Sequence, residues 1–365
     1  MLTLLKNLKI FTPYYIGKKD ILIANGKIEL IEENLVVPFS KVLDLNGKIA
    51  VPGFIDAHVH IIGGGGEGGF QTRTPEITIE ELVDSGITTV IGCLGTDDVT
   101  RSMEDLYAKS KQLEEVGITS FIYTGSYSVP VKTITGDIKK DLVLIDKVIG
   151  VGEVAISDHR SSQPTLEEIK RIVAQARVGG LISKKAGVVN FHVGNGKNGI
   201  DYLFEIVENT EIPIYHMYPT HMGRNKDLFY MGIEFAKKGG FIDLTASESV
   251  VDYLEISINE GIIDNLTMTS DGHGSLPKFD ENGSLIKIDV ASTTVLFESV
   301  KKAVERGLKF EEVIKTITIN PAKVLKLNSK GRIEMETDAD IIVLDENLNI
   351  EKVIARGKLL KEVQS

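Results

Sequence analysis

Two regimes of apolar and polar spacing run along the chain. In the middle, short β-rich apolar runs alternate with stretches whose apolar residues recur at helical spacing. The runs fall at residues 54–60, 88–94, 120–124, 149–155, 188–193, 212–218, 241–245 and 266–270. Segments such as TIEELVDSG, SMEDLYAKSKQLEEVG, TLEEIKRIVAQARVGG and NKDLFYMGIEFAKKGG lie between them, and each stops at glycine. Eight strands, each followed by a helix or long loop within residues 53–325, predict an α/β chain built as a (β/α)8 TIM barrel rather than an open doubly wound sheet.

The two ends read differently. DILIANGKIELI sets two β-type runs around Asn25-Gly26, and VLDLNGKIAVPG repeats the pattern around Asn46-Gly47. Residues 331–360 likewise alternate short strands with polar turns. The expectation is one small β-sandwich domain assembled from both termini, residues 1–52 and 326–365, bracketing the barrel at 53–325.

Composition narrows the function class. The 365 residues are 42% hydrophobic, enough for a sizeable core. A net charge of −11 argues against non-specific nucleic-acid binding. The single cysteine, Cys93, excludes an intrachain disulfide and fits a reducing, cytoplasmic compartment. MLTLLKNLKIF lacks the apolar core and cleavage site of a signal peptide, and no apolar run approaches the ~20 residues of a membrane helix. The chain is therefore expected to be cytoplasmic, with neither nucleic acid nor membrane as partner.

Barrels carry their reactive groups at the C-terminal ends of the strands. Four of the seven histidines fall there: His58 and His60 on the first strand, His192 on the fifth, His221 after the sixth. Glu153 on the fourth strand and Asp271 after the eighth add carboxylates. Residues i and i+2 of a strand share a face, so His58 and His60 aim at one point. Neutral imidazole and carboxylate oxygen suit zinc and similar divalent ions. The set exceeds the needs of one tetrahedral ion and fits two ions sharing a bridge. His216 lies before the end of the sixth strand and reads as structural, while His159 and His273 sit beside stronger candidates as supporting residues. Cys93, in an apolar run, reads as a packing residue.

VPGFIDAHVH resembles the first-strand signature of the amidohydrolase superfamily, and NPAKVLKL with KGRIEMETDADIIVLD resembles its return to the β domain. More narrowly, GFIDAHVHIIGGGGEGGFQTRTPE, LGTD, TGSYSVPVKTITG, AISDHRSSQP, FHVGNGK, PTHMGRN and SDGHGSLP together resemble the isoaspartyl dipeptidase family. The segments occur in the family's order over nearly the whole chain. The resemblance implies hydrolysis of the isopeptide bond of β-aspartyl dipeptides by metal-activated water, with two divalent ions, zinc foremost. It implies His58 and His60 on the more buried ion and His192 and His221 on the other. Asp271 would bind metal and shuttle the proton, and Tyr127 would stabilise the oxyanion. Glu67, at the end of the glycine run, would hold the substrate amino group. Arg160 and Arg224 would grip carboxylates, with hydrogen bonds from Thr96 and Ser275. A homo-oligomer, an octamer in the family pattern, is also implied.

One position departs from that pattern. Most members carry a carboxylated lysine at the end of the fourth strand, bridging the metals. Aligned on AISDHR, this chain has Glu153 there, and the nearest lysine, Lys147, belongs to the preceding helix side. A glutamate also offers two anionic oxygens, so Glu153 is expected to bridge; a single-metal site is the alternative. Rival functions are a cyclic amidohydrolase or N-acyl amino acid hydrolase of the same superfamily, and a catalytically silent barrel used for binding.

Overall fold

The structure, a computed structural model, describes residues 2–279 and 285–362; residue 1 and residues 363–365 of the expected terminal domain lie outside it. Five strands open the chain: β1 (Leu2–Phe11), β2 (Tyr15–Ala24), β3 (Lys27–Glu32), β4 (Lys41–Asp44) and β5 (Ile49–Pro52). Eight form the middle: β6 (Phe54–Val59), β7 (Ile87–Gly92), β8 (Thr119–Thr124), β9 (Val148–Ile156), β10 (Val188–Val193), β11 (Met217–Thr220), β12 (Ile242–Thr245) and β13 (Leu266–Thr269). A hairpin, β14 (Ser275–Phe279) and β15 (Leu285–Val290), precedes the closing strands β16 (Ile341–Leu344), β17 (Ile350–Ala355) and β18 (Lys358–Glu362).

Both termini meet in one eight-stranded sheet of order β18-β17-β16-β5-β1-β2-β3, with β4 also on β1. The join is direct: Ile342 of β16 lies opposite Val51 of β5 in antiparallel register. This sheet has its own apolar core, including Leu5, Leu8, Ile10, Ile21, Ile28, Ile341 and Val343. Asn25 and Gly26 adopt positive φ and close the β2–β3 hairpin as expected. Asn46-Gly47 turns the chain in the same way, but β4 and β5 do not pair with each other there. Both run parallel to β1, β4 beside Thr3–Lys6 and β5 beside Lys9–Ile10, so the turn steps the chain along one edge.

The middle strands form a six-stranded parallel sheet, β6 through β11 in sequence order, and a parallel pair, β12 and β13. Nearly all of their residues are buried, as expected where helices cover the outer face. Five of the intervening helices, beginning after Thr78, Ser102, Asp137, Thr165 and Asn225, start at side-chain caps. Thr78 and Thr165 form capping boxes with Glu81 and Glu168. Among the described residues, no helix is long and apolar enough to cross a membrane.

The sixth middle strand differs from the expectation. Residues 212–218 read as a strand, but β11 starts only at Met217, after a 3-10 turn at Ile214–His216. Pro213 has no N–H for a strand ladder, so the chain turns first and pairs afterwards. Lys147 lies on the helix side of the fourth middle strand, as expected. It occupies the turn just before β9, bonded to Glu114 at 2.8 Å. Glu153 lies six positions further along the strand, about 20 Å at the usual rise, so Lys147 has no access to the same end.

A buried ion cluster ties the two parts together. Lys330 Nζ donates to Asp340 Oδ2 at 2.6 Å and to Thr119 Oγ1, at the start of β8, at 2.7 Å. Both charged side chains are 5% exposed. Removing one partner leaves a buried charge uncompensated, at a cost of about 3–5 kcal/mol. Lys330→Met should therefore lower the thermal midpoint by roughly 5 °C or more, read by circular dichroism. An unchanged midpoint would show that the pair does not hold the β domain to the middle strands.

Candidate metal centre

The six ligand candidates lie at one end of the parallel strands. His58 is on β6 and His60 follows it; Glu153 is on β9 and His192 on β10; His221 follows β11 and Asp271 follows β13. The end of β6 is stapled to the end of β13. Asp56 Oδ1 accepts from the N–H groups of His58 and Ser270, and His60 N–H donates to Gly272 O at 2.9 Å. His221 and Asp271 leave their strands at φ 63° and 54°. Left-handed backbone at a non-glycine residue costs on the order of 1 kcal/mol, and here it turns both side chains inward.

Glu153 sits at the middle of the group and is fully buried. Its Oε2 lies 3.2 Å from His58 Nε2, 3.2 Å from His192 Nδ1 and 3.8 Å from His221 Nε2. Its Oε1 lies 3.5 Å from His60 Nε2. Asp271 Oδ1 closes the near side, 3.5 Å from His58 Nε2 and 3.2 Å from His60 Nε2. Ligand atoms bound tetrahedrally to one ion at ~2.0–2.1 Å stand about 3.3 Å apart. The observed separations match that spacing.

The hydrogen bonds point the same way. His58 Nδ1 faces Asn190 Oδ1 at 3.2 Å, so Nδ1 carries the proton and Nε2 is left as a lone pair. His221 Nδ1 is likewise engaged by Thr245 Oγ1 at 2.7 Å. His58 Nε2 and Glu153 Oε1 are buried without a hydrogen-bond partner among the described residues. Buried orphan acceptors are costly, and a cation between them removes the cost. The donor set of imidazoles and carboxylates thus fits divalent metal ions, and the two oxygens of Glu153 face different histidines.

Electrostatics agree. Burial alone would raise the Glu153 carboxyl, but His58, His192 and His221 outweigh it and hold the group well below the usual range. Asp271 is held down in the same way by His60, His221 and His58. Burial disfavours charge on His58 and His60, yet Cys93, Glu153 and, for His60, Asp271 push both imidazoles up. His221 is pushed down to about 3, first by burial and then by His192 and Arg224. The pocket attracts positive charge, and metal binding would displace protons from His58 and His60.

Two neighbours shape the cage. Cys93 packs as expected, but its Sγ also lies 3.9 Å from His60 Nδ1 and 3.6 Å from Val59 O. Gly95 is required by space, since a Cβ there would come within 2.9 Å of His60 Cε1.

The rim holds the other expected residues. Tyr127 OH lies 2.7 Å from His192 Nδ1. Arg160 Nη2 and Arg224 Nη2 lie 3.2 and 3.1 Å from His192 Nε2. Glu67 Oε1 accepts from Arg160 Nη1 and Ser275 Oγ, each at 3.3 Å. The glycine run before Glu67 is a tight loop. Gly65 has φ 69°, and a Cβ there would meet Thr72 O at 2.1 Å. Thr96 is half-buried on the loop after β7 and makes no side-chain hydrogen bond among the described residues.

Sequence reasoning missed Asp158. Its carboxylate takes Arg160 in a fork, with Nε donating to Oδ1 at 3.0 Å and Nη2 to Oδ2 at 2.8 Å. The same Oδ2 lies 3.2 Å from His192 Nε2. No local pattern pointed to it, because its contact partner His192 on β10 is distant in sequence. The remaining histidines stand outside the cage. His216 is buried against Gly187 O and Arg177 and pushed down to about 4, chiefly by burial. His159 is 82% exposed beside Asp158. His273 bonds Pro75 O and Glu81, anchoring the loop that carries Asp271.

Comparison with known proteins completes the picture. Residues 49–360 match the model of the amidohydrolase family. The crystal structure of beta-aspartyl dipeptidase from the thermophilic, keratin-degrading Fervidobacterium islandicum AW-1, in complex with beta-Asp-Leu dipeptide, is 55% identical, with TM-score 0.96 over 100% of this chain and 98% of that one. A dihydroorotase of Pediococcus pentosaceus is 22% identical over 94% of this chain and 89% of its own length. N-acetylglucosamine-6-phosphate deacetylase from Pasteurella multocida shares the fold, with TM-score 0.69 and 18% identity over 99% of this chain and 100% of that one. With strand-end histidines, a central carboxylate and a family match over most of its length, the chain belongs to the amidohydrolase family.

Proposed function

We infer that this chain hydrolyses the isopeptide bond of β-aspartyl dipeptides. One observation carries the reading: a buried acceptor cage whose rim bears one acid, Glu67, and two guanidiniums, in a chain 55% identical to a protein crystallised with beta-Asp-Leu. Such a rim matches a substrate with one ammonium and two carboxylates. The dihydroorotase relative acts on another amide by its name, but its 22% identity is far weaker support.

The six cage residues, His58, His60, Glu153, His192, His221 and Asp271, would hold two divalent ions, zinc by the chemistry of the donors. When bound, such ions supply Lewis acidity that ionises water near neutral pH and polarises a carbonyl. Asp271, held ionised, takes the proton from that water and returns it to the leaving amine. The Tyr127 phenol, pushed well above its usual range by burial and by Glu153, stays protonated and donates to the oxyanion. Glu67 accepts from the substrate ammonium. Arg160 and Arg224 present planar forks to carboxylates, and Thr96 and Ser275 add hydrogen bonds. Asp158 keeps Arg160 aimed while Arg160 also reaches Glu67.

The same reading extends to architecture. The two parallel sheets make one closed (β/α)8 barrel at 53–325. Met222 N–H on Asp243 O at 3.0 Å supports one seam, and the parallel bridge Val59–Gly272 supports the other. Residues 1–52 and 326–365 form the β-sandwich domain, a division supported by their separate core. Val36 and Phe39, 85% and 104% exposed, support a homo-oligomer, an octamer by family pattern. A buried free Cys93 is in keeping with the cytoplasm.

A kinetic panel tests the function. β-Asp-Leu should be cleaved with kcat/KM roughly 100-fold above α-Asp-Leu, because only the β-linked backbone satisfies Glu67 and both arginines together. Equal rates would defeat the assignment. Asp271→Asn should lower kcat about 1000-fold with an unchanged circular dichroism spectrum. Retained turnover would remove Asp271 from the proton path. Asp158→Asn should raise KM for β-Asp-Leu about tenfold while kcat falls less, and Asp158→Glu should recover part of the loss. A pure loss of kcat would contradict a role in aiming Arg160.

A further inference from the structure

A cavity of about 610 Å³ outside the cage is lined in part by Arg160 and Arg224. Its ten lining residues comprise nine polar or charged residues and one glycine. No aliphatic or aromatic side chain is among them. Ligand pockets are usually lined mainly by apolar groups, so this composition is selective.

The charges in it are unequal. Arg160, Lys197 and Arg224 face one carboxylate, Asp158, which leaves the lining two charges positive with histidine neutral. The whole chain carries −11. A cationic cleft on an acidic protein focuses the field on anionic ligands. The cations are also not equally committed. Arg160 is held by Asp158 and touches Glu67. Neither Arg224 nor Lys197 has a carboxylate within salt-bridge distance among the described residues.

A β-aspartyl dipeptide brings two carboxylates, the α-carboxylate of the aspartyl residue and that of the second residue. Arg160 and Arg224 account for both. Lys197 is then a surplus cation, an exposed residue in a lining that also includes the amides of Asn195 and Gln163. Resting on the dipeptidase reading above, we propose that this cavity receives the side chain of the residue after β-Asp, and that Lys197 selects an acidic one. The favoured substrates are β-Asp-Glu and β-Asp-Asp, each with a third carboxylate. Amides at the wall solvate such a side chain, whereas a leucine there gains no aliphatic side chain to pack against.

The test is a comparison of kcat/KM for β-Asp-Glu, β-Asp-Leu and β-Asp-Lys. The wild-type chain should order them Glu, Leu, Lys, with about fivefold between the first two, the upper range for a partly exposed ion pair. The Glu-to-Leu ratio should shrink at high salt. Lys197→Arg should keep the ratio, Lys197→Met should bring it near one, and Lys197→Glu should favour β-Asp-Lys. Ratios within one protein sample are insensitive to a partly unfolded preparation. Equal kcat/KM for β-Asp-Glu and β-Asp-Leu, or a ratio that Lys197→Glu does not move, overturns the inference and leaves the dipeptidase reading standing. Failure to cleave any of the three β-linked peptides overturns both.

Discussion

The carboxylate of Glu153 is the constraint on which the rest of this molecule depends. It is buried among four imidazoles and another carboxylate, and its Oε1 finds no donor among the described residues. Proteins bury an anion in this way only where a positive charge compensates it. The parallel strands supply the rigidity. The six candidate ligands stand on, or one or two residues beyond, five different strands, so no single loop motion can open the cage. The polar contacts behind the histidines, Asn190 on His58 and Thr245 on His221, fix which nitrogen faces inward.

Around this fixed centre the rim is built from loops, and in the proposed function it handles recognition. Glu67 rides on a glycine loop that passes against Thr72 and Ser275 where side chains would collide. Arg160 is held by Asp158, which also touches His192, so the proposed substrate grip and the proposed metal cage share one carboxylate. Chemistry at the strands and selectivity in the loops is the division that barrel architectures favour.

Much of this was legible in the sequence, for identifiable reasons. A strand end followed by a helix gives direction as well as position, so His58, His60, His192, His221 and Asp271 could be assigned to one rim before any coordinates. The sixth strand was set too early because Ile212 and Ile214 carry a β signal that Pro213 cancels. The Asn46-Gly47 turn looked like a hairpin because local sequence specifies the turn, not the partner, and β1 lies far upstream. Asp158 and the contact of Cys93 with His60 were invisible for the same reason: each depends on a neighbour brought close only by the sheet. The Glu153 substitution was readable from its anchor motif, but that its two oxygens face different histidines required the fold.

The most direct test of the account is anomalous diffraction at the zinc edge from crystals of the metal-loaded protein. Two peaks should appear on opposite sides of the Glu153 carboxylate, about 3.5–4 Å apart, one beside His58 and His60 and the other beside His192 and His221. A single peak, or a pair that does not flank Glu153, would contradict it.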